Sequence, residues 1–312
     1  MFIEYLFAGD KFAEIVGEED DSVVDIINTP YRVDELTVPE EFEELIDNTL
    51  EKVKAIAEKI HPTDYKDLTL FLDPIDGTRE FATGKGEFVT ILVGYNDPQG
   101  QPVAGIVYRP LTTPTTWASG AASEGFKDGL LDAPSEPNPK GVLITDGKVS
   151  PFLSELINTA GMNRVPSVAS GNRALMLVEG KAGAYIRDTG GFCKWDTSGP
   201  QAVVEAYGGC FAMLPEFLET KDMVSYTHLK GELNANFCKR SIGLTLSNAR
   251  DKSHVISGLD SIVTDVHLVK EYNCLRGLVA LAPEKMEPFY QNAIHAAMMG
   301  VIKEKGINPM YT

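Results

Sequence analysis

Hydrophobic positions along the chain follow two different periods. From Glu40 to Ile60 they fall at Phe42, Leu45, Ile46, Leu50, Val53, Ile56 and Ile60, the three- and four-residue spacing of an amphipathic helix, and Pro39 suits its first turn. A second long stripe, Phe289, Tyr290, Ala293, Ile294, Ala297, Met298, Val301 and Ile302, predicts a C-terminal helix closed by Gly306 and packed on a core. Phe2, Ile3, Leu6 and Phe7 fit the last turns of a further helix at the start. Between these stripes the apolar runs are short and rich in β-branched residues. Leu68 to Leu72 reads as a strand, Phe88 to Tyr95 and Pro102 to Tyr108 as a hairpin joined by Asn96-Asp97-Pro98-Gln99-Gly100, and Trp117 to Phe126 as another strand pair bending at Gly120 and Gly125.

Pro134, Pro137 and Pro139 then crowd an irregular stretch from Asp132 to Gly141, where we expect a boundary between an α+β part, 1–140, and an α/β part, 141–312. In the second part Val142 to Thr145 and Gly183 to Ile186 read as strands. Pro151 to Ala160, Ala174 to Glu179 and Pro200 to Tyr207 read as helices, an α/β alternation. Leu275 to Leu281 is apolar enough for a core strand, whereas Pro215 to Tyr272 shows no more than loops with interspersed strands. Neither an internal repeat nor a low-complexity tract is visible.

Composition narrows the class. At 312 residues with 43% hydrophobic and 23% charged positions, the chain can bury a sizeable core as one large or two medium domains. Its apolar stretches fall short of the roughly 18 uninterrupted residues of a membrane span, and Met1 to Phe7 lacks the basic flank of a signal peptide, so a cytoplasmic protein is expected. Cys193, Cys210, Cys238 and Cys274 are widely separated, match no zinc spacing, and are expected as free thiols. A formal charge of −17 argues against nucleic-acid polymers and anionic membranes as partners. Small phosphorylated substrates stay open, because bound divalent cations reverse the local sign of an acidic site. No pattern indicates an oligomer interface.

The chemistry concentrates where the strand Leu68 to Leu72 ends. Asp73-Pro74-Ile75-Asp76-Gly77-Thr78 sets two carboxylates three positions apart before a turn, with Pro74 fixing the backbone and Gly77 allowing close approach of a ligand. Taken alone, such a pair is as well explained by a strand end and a helix N-cap. Two other acidic sites also follow apolar segments, Glu18-Glu19 and Asp196 after Trp195. Together they supply the several oxygen ligands that hard divalent cations need, and phosphoryl chemistry often uses two such ions.

Gly17-Glu18-Glu19-Asp20, the Asp73 to Thr78 motif and Trp195-Asp196-Thr197-Ser198-Gly199-Pro200, in this order, resemble the inositol monophosphatase superfamily of magnesium-dependent, lithium-sensitive phosphatases. The likeness covers Ile15 to Gly209 and is strongest to the inositol polyphosphate 1-phosphatase and 3'(2'),5'-bisphosphate nucleotidase branches. It implies a layered α-β-α-β-α fold. It also implies that Glu18, Asp73 and the Ile75 carbonyl hold one Mg²⁺, and Asp73, Asp76 and Asp196 a second. Glu18 and Thr78 would activate water, Gly77 and Thr78 would bind phosphate, and Li⁺ would inhibit. Ser170, Gly171, Asn172 and Arg173 would read the rest of the substrate, with Lys194 a further phosphate ligand; Arg173 stands where relatives often carry Lys.

Two features depart from the family pattern. Seventeen residues precede Glu18, where the family has a helical region with an Asp linked to lithium inhibition, and the segment from Pro215 to Tyr272 is long. The expected activity is a phosphomonoesterase removing the 1-phosphate of inositol 1,4-bisphosphate, and also the 3'-phosphate of adenosine 3',5'-bisphosphate. A primary nucleotidase and a phosphate-binding pseudophosphatase are the alternatives. The haloacid dehalogenase pattern, with its carboxylates two apart, does not match the spacing imposed by Pro74 and Ile75.

Overall fold

The computed structural model describes residues 12–18, 65–130, 142–145, 147, 149–188, 192–229, 277–283 and 288–309, with helical, exposed positions at 40, 41, 43, 44, 47, 48 and 51. Those positions are the polar face of the helix expected from Glu40 to Ile60. The expected helix at Phe2 to Phe7, the Pro-rich stretch 132–141, residues 230–276 and the thiols of Cys238 and Cys274 lie outside the described residues.

Two sheets carry the fold. Sheet A runs β1(Glu14–Gly17), β2(Thr69–Asp76), β3(Thr90–Asn96), β4(Pro102–Arg109), β5(Thr116–Ala121) and β6(Phe126–Asp128) in that spatial order. β1 lies parallel to β2 and the remaining pairs are antiparallel. Gly125 makes the expected bend, in the left-handed region at φ 63°, but Gly120 stays inside β5. A Cβ at Gly120 would come within 2.3 Å of the Ala206 methyl, so the residue serves close packing and not a turn.

Sheet B has the order β10(Cys210–Met213), β11(Leu278–Leu281), β9(Ala184–Arg187), β7(Val142–Thr145) and β8(Asn163–Pro166). β9, β7 and β8 are mutually parallel, and β11 alone among the described strands runs against its neighbours, antiparallel to both β9 and β10. Helices on both faces explain why its inner strands β11 and β9 are buried along nearly their whole length instead of alternating.

Short helix α1(Thr78–Ala82) follows β2, and α2(Pro151–Ala160), α3(Ser170–Val178), α4(Ser198–Ala206), α5(Leu214–Thr220) and α6(Pro288–Lys305) lie in the second half. α3 and α4 fill the space between the sheets: α4 packs on β3, β4, β5 and β10, and α3 on β3, β4 and β9. Leu92 and Val107 of sheet A meet Leu175, Leu177 and Val203 of these helices and Phe211 and Leu278 of sheet B in one core. The other face of sheet B is closed by α2, α5 and α6 through Phe152, Leu156, Phe217, Ile294, Met298 and Val301. The described layers are thus sheet, helix pair, sheet, helices, an α/β architecture.

Candidate active site

β1 and β2 end side by side. Gly17 pairs with Leu72, and the Glu18 N–H donates to the Leu72 carbonyl at 3.1 Å, which sets Glu18 beside Asp73 with their carboxyls hydrogen-bonded. The pairing of β2 with β3 shifts between Asp73 and Asp76, the place where Pro74 has no N–H to give to a ladder. That bulge turns both aspartates to one side. The Ile75 N–H donates to Asp73 Oδ1 at 3.0 Å, and the Thr78 hydroxyl to the Ile75 carbonyl at 3.3 Å. Gly77 takes φ 89°, a left-handed conformation that glycine enters without Cβ strain, and α1 starts there.

Asp196 arrives from the other half of the chain. Its N–H donates to the Cys193 carbonyl at 3.1 Å while its carboxylate accepts from the Cys193 N–H, so the aspartate closes its own turn at the head of α4. Trp195 packs against Val16 and Phe71, anchoring that turn to β1 and β2. Carboxylate oxygens of Asp73, Asp76 and Asp196 come within 4.8 Å of one another.

Asp76 is held most firmly. Ser170 and Gly171 donate their N–H groups to its two oxygens at 3.0 and 2.8 Å, and the Thr90 hydroxyl donates as well. Asp76 therefore caps α3 from ninety-four residues away. The capped helix starts at Ser170, four residues before the Ala174 expected from sequence, because Asp76 supplies the acceptors that Ala169, at φ 62°, lacks. Sequence reasoning had no sign of a cap supplied by another part of the fold.

Burial raises the pKa of all three aspartates. Asp73 is pushed up to about 10 by burial and then by the charges of Asp76, Glu18 and Asp196. Asp196 is raised to about 7 by burial and the Asp76 charge, against the Cys193 N–H. Burial also raises Asp76, opposed by Thr90, the Gly171 and Ser170 amides and the Arg173 charge. Such a cluster cannot be fully ionised at neutral pH without cations. The oxygens it offers a cation are the hard carboxylates of Asp73, Asp76 and Asp196, with no imidazole among the three. This set fits Mg²⁺ and not a zinc site.

The other expected ligands divide. Gly77 and Thr78 flank the carboxylates, with Thr78 exposed. Gly171, Asn172 and Arg173 are buried in the first turn of α3, and not in a loop. The Arg173 guanidinium donates to the Ser167 carbonyl at 2.9 Å and the Tyr185 hydroxyl at 2.9 Å, so its fork is engaged within the protein. Lys194 is also buried, at 3% exposure, within electrostatic reach of His228. His228, Thr90 and Asn96 escaped the sequence reading. The buried His228 ring has its pKa lowered to about 3 by burial and by Lys194, and its Nε2 lies 3.0 Å from the Thr197 hydroxyl. Asn96 accepts from the Ser198 hydroxyl at the start of α4. Nothing in local sequence marks these three, whose partners are distant along the chain.

Among known proteins, the chain is 31% identical over 156 residues to 3'(2'),5'-bisphosphate nucleotidase 1 of Mus musculus, 46% of this chain and 49% of the relative. To the protein of the same name in Dictyostelium discoideum it is 26% identical over 212 residues, covering 59% and 67%. The first of these matches thus spans about half the relative's length. A Staphylococcal inositol monophosphatase-1, solved as an inhibitory complex soaked in LiCl, superposes with a TM-score of 0.52 at 13% identity, over 100% of this chain and 79% of that one, a likeness of fold. The family model for the inositol monophosphatase family matches residues 14–236, a stretch that contains both sheet A and the meeting of Asp73, Asp76 and Asp196. The chain belongs to the inositol monophosphatase family.

Proposed function

We propose that the protein is a Mg²⁺-dependent phosphomonoesterase acting on a small bisphosphorylated substrate. The observation that carries this reading is the convergence of Asp73, Asp76 and Asp196 within 4.8 Å. Asp73 and Asp76 end one strand and Asp196 heads α4, so two halves of the chain must fold together to complete the cluster. Bound Mg²⁺ would supply charge neutralisation for the phosphoryl oxygens and a more acidic water. Glu18, Asp73 and the Ile75 carbonyl would hold one ion, and Asp73, Asp76 and Asp196 a second.

The remaining roles follow from this chain's own groups. Glu18, exposed and beside Asp73, is the side chain available to take the proton of an attacking water. Thr78 keeps its hydroxyl on the Ile75 carbonyl, where it can orient that water. The backbone at Gly77 and Thr78 opens α1 and offers N–H groups to phosphate. Asn172 and Arg173 serve the substrate indirectly, by shaping the helix end that holds Asp76. No covalent phosphoenzyme is part of this reading.

Relatives named 3'(2'),5'-bisphosphate nucleotidase favour adenosine 3',5'-bisphosphate as the substrate. The turn Tyr95 to Pro102, which resembles the inositol polyphosphate branch, supports inositol 1,4-bisphosphate as a second reading. Phosphate release from both compounds, with and without Li⁺, separates them. Faster release from the nucleotide, inhibited by Li⁺, is the expected result. Preference for the inositol compound reverses the substrate order, and release from neither with Mg²⁺ present overturns the phosphatase reading.

A further inference from the structure

A buried cation lies behind the carboxylates, at the end of β4. Arg109 is 5% exposed, and its guanidinium is engaged on several sides. Nε donates to Asn172 Oδ1 at 3.0 Å and Nη2 to the Asn172 carbonyl at 3.3 Å, while Nη1 donates to Glu179 Oε1 at 2.5 Å and to the Thr116 hydroxyl at 3.3 Å. Asn172 lies in the first turn of α3 and Glu179 is its C-cap residue. One guanidinium therefore bridges the two ends of a nine-residue helix and ties both to sheet A.

The bond network continues from Asn172 to the metal cluster. Its side-chain amide donates to Ser167 Oγ at 3.0 Å and to the Val168 carbonyl at 3.3 Å, fixing the turn that brings Ala169 to φ 62°. A non-glycine residue in that region persists when its surroundings over-determine it. The next two N–H groups, of Ser170 and Gly171, are those bound to Asp76. Any slide of α3 along its axis would carry them off the carboxylate.

We infer that Arg109 is a positioning residue of the metal centre, acting through Asn172 and Glu179 to hold the Ser170 and Gly171 amides on Asp76. The inference rests on the metal-site reading above. The task suits Arg: its planar fork reaches several acceptors in fixed directions, whereas a Lys ammonium keeps the charge but not the span. Arg109→Lys should thus retain the Glu179 pair and lose the hold on Asn172. Partners of metal ligands typically change affinity by about 10- to 100-fold when removed.

The test is Mn²⁺ binding to the whole chain, followed by electron paramagnetic resonance without substrate, beside thermal melting and steady-state phosphate release. Arg109→Lys should melt cooperatively, bind Mn²⁺ about tenfold more weakly than wild type, and keep its substrate KM at saturating Mg²⁺. Lys181→Ala, which removes an exposed cation 2.8 Å from Glu179, should leave Mn²⁺ binding unchanged. Wild-type Mn²⁺ affinity in a folded Arg109→Lys would overturn the inference and leave Arg109 a purely structural residue. Should that variant not fold, Glu179→Gln decides in the same way: weaker Mn²⁺ binding supports the inference and unchanged binding overturns it. Absence of Mn²⁺ binding in the wild type would instead overturn the metal-site reading itself.

Discussion

Asp73, Asp76 and Asp196 are the same residue type in one cluster, yet their surroundings prepare them differently. Asp76 receives three donors and the N-terminal end of α3, which favour its charged form. Asp73 has the Ile75 N–H but faces three carboxylates, and its pKa is pushed up to about 10 from 3.8. A carboxyl raised in the folded state binds a proton that the unfolded chain has released, so without metal its contribution to stability declines as pH climbs from 3.8 toward the folded value. For Asp196 that decline runs up to about pH 7, and for Asp73 further into alkali. A divalent cation must displace those protons. The Mg²⁺-induced rise in Tm should therefore be larger at about pH 8 than at about pH 6, which thermal melts with and without Mg²⁺ will check. An equal or smaller rise at the higher pH would contradict this assignment.

At the scale of elements, α3 couples the carboxylate cluster to the core between the sheets. Gly171 shows which force governs its placement. Helix propensity alone would make Gly171→Ala stabilising by up to about 1 kcal/mol. However, a Cβ there would lie 2.4 Å from Leu92 Cδ2, 2.5 Å from Thr90 Oγ1 and 2.8 Å from Val107 Cγ1, against the sheet on which the helix rests. Overpacking of this kind costs about 1–3 kcal/mol, so destabilisation should win. Gly171→Ala is expected to lower Tm and weaken Mg²⁺ activation together, since the displaced amide is the one on Asp76. A raised Tm would show that propensity prevails. The same residue explains why the helix start was illegible. Gly171 and Asn172 are poor helix formers, and their cap comes from the end of β2.

Over the whole molecule, what could be read from sequence was whatever its own neighbours determine. β7 and α2 match their expected bounds, Val142–Thr145 and Pro151–Ala160, because the strand is a clean apolar run and Ser150 caps the helix with its own hydroxyl on the Leu153 N–H. The apolar stripe of α6 likewise buries Ile294, Met298 and Val301. Among the described residues three elements went unseen: β8, whose Asn163-Arg164-Val165-Pro166 has the polar look of an edge strand, and β10 and α5, which follow one another without a turn signal. The acidic cluster was legible because its carboxylates stand in short, distinctive motifs. Their supports, Thr90, Arg109 and His228, were not, since each acts on a partner brought close only by folding.

That difference makes Asp196 the sharpest point of attack, for it brings a carboxylate from the second half of the chain to the two aspartates of β2. Steady-state phosphate release from adenosine 3',5'-bisphosphate, measured across a Mg²⁺ titration for wild type and Asp196→Asn, is the direct measurement. Wild type should show Mg²⁺-dependent turnover, and Asp196→Asn should lose most of it even at saturating Mg²⁺, because an amide oxygen cannot replace the charge that the Asp196 carboxylate would give the second ion. Near-wild-type rates in Asp196→Asn at saturating Mg²⁺ would contradict a catalytic cluster built from Asp73, Asp76 and Asp196.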